Sequence, residues 1–114
     1  MGQYHYIINV TKRQYLHPYR FGDGLKLLEF AFSAGGTMTA LAVLLAEDNG
    51  LGNGDIRSDD PLVGSWSGDE IRIVGDYGSR KDDEPNRYVT AANEYEELSD
   101  RMHALFAKAG EELR

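Results

Sequence analysis

The feature that most restricts this chain lies near its C-terminal end. From Tyr88 onward, Tyr88, Ala92, Tyr95, Leu98, Met102, Leu105, Phe106 and Ala109 recur at three- and four-residue spacing, which predicts an amphipathic helix. Unbroken from Tyr88 to Leu113 that helix would measure about 39 Å, longer than a 114-residue domain spans. The spacing therefore predicts a break, and Ser99 followed by Asp100 offers a point of restart.

Earlier the period is two. Tyr4, Tyr6, Ile8 and Val10 alternate in a run of β-branched and aromatic residues, a strand pattern. Thr11-Lys12-Arg13 reads as a turn, and Gln14–His17 as a returning strand that stops at Pro18. Leu25–Phe32 is apolar nearly all round, so a buried helix capped by Asp23 is expected. Gly35-Gly36 ends it, and Thr37 is placed to cap a second helix over Met38–Glu47. Leu62–Trp66 and Glu70–Tyr77 look like strands joined at Ser67-Gly68-Asp69, a second hairpin. The order implies an α+β fold: an antiparallel sheet of about four strands in two hairpins, with two central helices and a C-terminal amphipathic helix packed on it. One domain over 1–114 is expected, with a mobile loop at 78–87, where the sequence is polar and charged.

Charge and composition restrict function more than identify it. The net charge is −7, and residues 47–114 carry eight basic against seventeen acidic groups, a local −9. Such a surface repels phosphate backbones, so no direct nucleic-acid binding is expected. A basic protein partner is the natural counterpart. With no cysteine, disulfides and thiolate metal sites are excluded. The Met38–Ala46 apolar run is far short of the roughly 20 residues of a membrane span, so no membrane partner is expected. No signal-peptide pattern opens the chain, and a cytoplasmic location follows as the default.

Four constellations bear on chemistry. A three-residue turn at Thr11–Arg13 would pair Val10 with Gln14, placing His5, Tyr15, His17 and Tyr19 on one sheet face, with the histidines diagonal neighbours about 7–8 Å apart. That face is the candidate site for a small molecule or metal, although zinc needs a third protein ligand that the sequence does not supply. A two-residue turn would separate the histidines. The Gly- and Asp-rich loop Asp48–Asp60 fits neither an EF-hand nor a stacked calcium repeat, and reads as an acidic connector. No serine lies in a nucleophile elbow; no catalytic residue, metal ion or cofactor is assigned. Lastly, Asp55, Asp59, Asp60, Glu94, Glu97 and Asp100 are the candidate contacts for a basic partner, and the Tyr95/Met102/Phe106 stripe of the C-terminal helix for a homodimer.

The opening Gly2-Gln3-Tyr4-His5, then Leu16-His17-Pro18 and Gly22-Asp23-Gly24-Leu25-Lys26-Leu27-Leu28-Glu29-Phe30, resembles a group of small bacterial and phage proteins. That resemblance implies a bacterial or mobile-element origin and carries no activity or site residues. The reading with most support is a non-enzymatic acidic binding protein, such as a toxin-immunity or phage anti-defence inhibitor. The alternative is a small-molecule or metal-binding domain on the His5/His17 face, with hydrolysis as one chemistry open to it.

Overall fold

The computed structural model describes residues 3–32, 35–47, 60–76 and 87–112, with side chains described as far as residue 108. The fold is α+β. Strands β1 (His5–Asn9), β2 (Gln14–Leu16), β3 (Ile71–Gly75) and β4 (Glu96–Glu97) form one sheet in the order β3-β1-β2-β4. Its helices are α1 (Leu27–Ala31), α2 (Thr37–Leu45), α3 (Arg87–Glu94) and α4 (Ser99–Glu112). The sheet is mixed rather than antiparallel throughout: β2 and β4 run parallel, pairing Gln14 with Glu96 and Tyr15 with Glu97.

The β1–β2 hairpin pairs Ile7 with Leu16, Ile8 with Tyr15 and Asn9 with Gln14. The turn is therefore Val10–Arg13, one residue longer than the expected Thr11–Arg13. Arg13 takes the left-handed conformation at φ 57°, and Asn9 Oδ1 accepts the Lys12 N–H at 2.8 Å. Asn9 also donates to Asp69 at 2.8 Å, and Lys12 ion-pairs the same carboxylate. This register matches apolar residues on both faces, which is what fixes strand pairing when both faces are covered. Ile7 and Leu16 join Phe30, Leu44, Trp66, Leu98, Met102 and Leu105 in one core; Tyr6, Ile8 and Tyr15 pack with Ala91 in the other.

The expected second hairpin does not form. β3 pairs antiparallel with β1 instead, and residues 61–69 coil through successive turns. Gly64 and Gly68 lie at φ 73° and 83°, and N–H groups reach back three residues, as from Ser65 to Leu62 at 3.0 Å. The coil has a task. Gly64 and Trp66 N–H groups bind the Val43 and Leu44 carbonyls at 3.0 and 2.9 Å, satisfying the C-terminal end of α2. Trp66 is fully buried, with its indole N–H on Gln14 Oε1 at 2.8 Å.

The helix ends follow other rules than expected at two places. Asp23 does not cap α1. Its Oδ2 accepts the Thr37 N–H at 2.8 Å and the Thr37 hydroxyl at 2.6 Å, at the start of α2. Lys26 holds the N-cap position of α1, and Glu29 reaches back to its N–H at 3.0 Å. The long C-terminal helix does break: α3 stops at Glu94, β4 intervenes, and α4 restarts at Ser99. Among the described residues no helix is long and apolar enough to cross a membrane. The loop expected at 78–87 lies outside the described residues as far as 86, and Arg87 opens α3.

Candidate functional site

Of the carboxylates nominated for a basic partner, Asp55 and Asp59 lie outside the described residues. Asp60 accepts the Leu62 N–H at 2.9 Å and opens the 61–69 coil. Glu94 lies 3.5 Å from Arg13, whose guanidinium also sits over the Tyr95 ring. Glu97 is occupied from three sides: it accepts the His17 N–H at 3.2 Å and the Ser99 N–H and hydroxyl, and Arg20 stands 3.9 Å away. Its job is to join the end of β2 to the start of α4. Asp100, 90% exposed, faces the same Arg20 at 3.8 Å. Glu96, Asp69 and Glu70 pair with Arg101, Lys12 and Arg72. Among the described residues, the carboxylates of the C-terminal helices thus have basic side chains beside them, while Glu94 and Asp100 stay exposed. The exposed pairs are worth about 0–1 kcal/mol each, so they shape the local field more than they hold the fold.

The homodimer stripe is partly taken up within the fold, with Tyr95 and Phe106 only half-buried. Met102 and Leu105 are buried in the core, Phe106 packs against it, and Tyr95 packs in the second cluster.

The histidine face divides. With Ile7 opposite Leu16, His5 turns toward Phe30, ring centroids 6.4 Å apart, while His17 turns to the other face beside Tyr6 at 4.8 Å. The expected His5/His17 pair is therefore absent, because the four-residue turn shifts β2 by one position. Tyr15 and His17 come together through Tyr6, which also stacks on Tyr88 at 3.9 Å and 7°, and Tyr19 joins them through His17 at 6.4 Å. In sequence Tyr6 belongs to a strand alternation and Tyr88 to a helical stripe, patterns that read equally well as plain core and mark neither as a site residue.

Electrostatics in this cluster favour neutral groups. Burial lowers the His17 imidazole below its ordinary value, against the opposing pull of Glu97, so it is neutral at pH 7. Burial raises the Tyr15 phenol, helped by Tyr6 and Glu97. Tyr88 is raised by burial and by its hydrogen bond with Tyr6. Among the described residues, nothing hydrogen-bonds the buried Nδ1 of His17. Among the described residues no three His, Cys, Asp or Glu side chains are grouped to hold a metal ion.

The clearest departure from expectation is α1. Only Phe30 enters the core, while Leu27, Leu28 and Phe32 are 43%, 70% and 82% exposed. A helix of five residues makes little more than one turn, so one side chain reaches inward and the others have nowhere to go. Leu62 and Trp66 from the 61–69 coil close the core instead. Leu28 and Phe32 are four residues apart, hence on one side of the turn. Exposed Glu29 stands among them.

Comparison of the chain with protein-family models, with curated proteins and with solved structures finds no match in any of the three.

Proposed function

We propose that this chain is a non-enzymatic binding protein that docks a basic protein partner through α1. The observation that carries the reading is the exposure of Leu27, Leu28 and Phe32 within six residues of an otherwise acidic chain. Single exposed apolar residues are ordinary, but large apolar side chains gathered on one element mark a contact surface. Burying a Leu or Phe is worth about 1.5–3 kcal/mol, so two or three such anchors supply the core of an interface.

Charge selects the partner and sets the approach. The net −7 attracts a cationic surface at long range and raises the association rate, even where individual carboxylates are paired within the chain. Contact then depends on α1. Small acidic antagonists, such as toxin-immunity proteins or phage anti-defence inhibitors, are similar to this reading in size and charge by analogy alone.

The test is retention of proteins from a lysate of the cell that encodes the chain, at low and moderate salt. Wild type is compared with a Leu28→Asp/Phe32→Asp variant whose circular dichroism is unchanged. A basic protein held by wild type and released by the variant supports the reading. Equal retention by both refutes it.

A second reading has one specific observation in its favour. The buried Nδ1 of His17, which has no hydrogen-bond partner among the described residues and lies within a group of four tyrosines, suits a small aromatic or hydrogen-bond-donating ligand. Screening such compounds by the His17 imidazole signals in NMR tests it. A set that leaves those signals in place ends this alternative.

A further inference from the structure

Among the described residues, the outer side of β3 is an open strand edge. β3 pairs with β1 in a continuous register, His5 to Gly75 through Asn9 to Ile71. The flanking bonds, Val10 N–H to the Glu70 carbonyl and Asp76 N–H to the Tyr4 carbonyl, are 3.0 and 2.9 Å. Those bonds fix the phase of the ladder. Residues 70, 72, 74 and 76 direct their backbone groups at β1, and Ile71, Ile73 and Gly75 direct theirs outward. Among the described residues, no hydrogen bond meets these outward groups.

Natural edge strands are guarded by prolines, bulges or inward charges. β3 has no proline, and its pairing with β1 has no bulge. Ile73, at its centre, is 48% exposed. Its one charged residue, Arg72, lies within 2.6 Å of Glu70.

We propose that β3 pairs with β3 of a second copy, antiparallel about a two-fold axis at Val74, joining two four-stranded sheets into one. The side chains are self-complementary in that register. Arg72 and Asp76, the residue just after β3, are four residues apart, so each Arg72 stands opposite the partner's Asp76, and Val74 meets the partner's Val74 across the axis. Asp76 Oδ1 also accepts the Tyr4 N–H of its own chain at 3.0 Å. Opposite charges and β-branched residues are the favourable cross-strand pairs. Ile73 exchanges backbone bonds with the partner's Gly75, and Gly75 with the partner's Ile73. A two-fold contact of this kind is closed and uses the β3 edge of both copies, so pairing through β3 stops at two. This surface is separate from α1, and the dimer stands or falls independently of what α1 meets.

Sedimentation velocity, over a concentration series reaching the millimolar range, tests the pairing. It is run near physiological salt, where charges beyond about 8 Å are screened. Ile73→Pro removes an outward N–H and leaves the bonds to β1 in place. Arg72→Glu puts a carboxylate opposite the partner's Asp76, and serves if the proline variant does not fold. Val74→Cys places two thiols at a non-hydrogen-bonded pair about 4.5 Å apart in Cα, within disulfide reach. The expected result is a dimer at high concentration, lost in Ile73→Pro and Arg72→Glu and trapped covalently by oxidised Val74→Cys. A monomer at every concentration, or a dimer that survives in both of the first two variants, overturns the proposal.

Discussion

Asp23 and Thr37 are joined by two hydrogen bonds to one carboxylate oxygen, at 2.8 Å from the Thr37 amide and 2.6 Å from its hydroxyl. The pair closes the base of the excursion that carries α1 and supplies the first turn of α2 with its acceptor. Thr37 is fully buried, so both its polar groups depend on this partner. The Asp23→Ala substitution is expected to lower stability by about 1–2 kcal/mol, the usual cost of losing a helix cap. A urea denaturation curve measures it. In a double-mutant cycle with Thr37→Val the two losses are expected to fall short of additivity, because either change removes the hydroxyl bond. Additive losses would place the two residues in separate roles.

Gly64 carries a second conformational demand. Its φ is 73°, and a Cβ there would lie 2.5 Å from the Ala46 carbonyl oxygen. Gly64→Ala therefore combines left-handed strain with a backbone clash, and a loss of about 1–3 kcal/mol is expected from the strain alone. Because Gly64 and Trp66 together satisfy the end of α2, the lone tryptophan should become more exposed in the variant. A red shift of its emission, alongside the lower denaturation midpoint, checks this. Gly68, also at positive φ, has nothing within 4 Å of a Cβ, so its alanine variant bears the strain without the clash and should lose less.

Stability should also fall as solution is acidified, in two separable steps. His17 is lowered mainly by burial, so below about pH 6.5 the unfolded chain takes up this proton before the folded one. The stability present above that pH declines until the folded imidazole itself titrates, and then levels. Asp69 is lowered by its hydrogen bonds to Lys12 and Asn9. Its contribution persists to more acid solution, and is lost as pH falls through its depressed value. Denaturation midpoints across this range are expected to show the first decline in wild type and a shallower one in His17→Phe. An unchanged slope in that variant would assign the first step to other groups.

The residues whose pattern was locally decisive were legible in sequence. Alternation placed β1, the three- and four-residue spacing placed α3 and α4, and Ser99 marked the restart between them. What stayed hidden depended on distant partners. Nothing near Asp23 says that its carboxylate will serve Thr37 rather than α1. Leu62–Trp66 has strand composition, yet Gly64 at positive φ and the open carbonyls of α2 turn it into a coil. The hairpin slipped by one residue because Asn9 caps its own turn, and that single step sent His5 and His17 to opposite faces. The all-round apolar character of Leu25–Phe32 was visible, and read as burial. Its exposure followed only once Trp66 and Leu62 were found closing the core. The carboxylates could be counted but not paired, since Arg13 and Arg20 reach Glu94, Glu97 and Asp100 across most of the chain.

The position of the partner is tested most directly by a photo-crosslinking amino acid at Leu28, compared with the same group at exposed Lys108, irradiated inside the cell that encodes the chain. The expected result is a discrete adduct with a basic protein from position 28 and none from position 108. Adducts of equal yield from both positions, or from 108 alone, would contradict docking through α1.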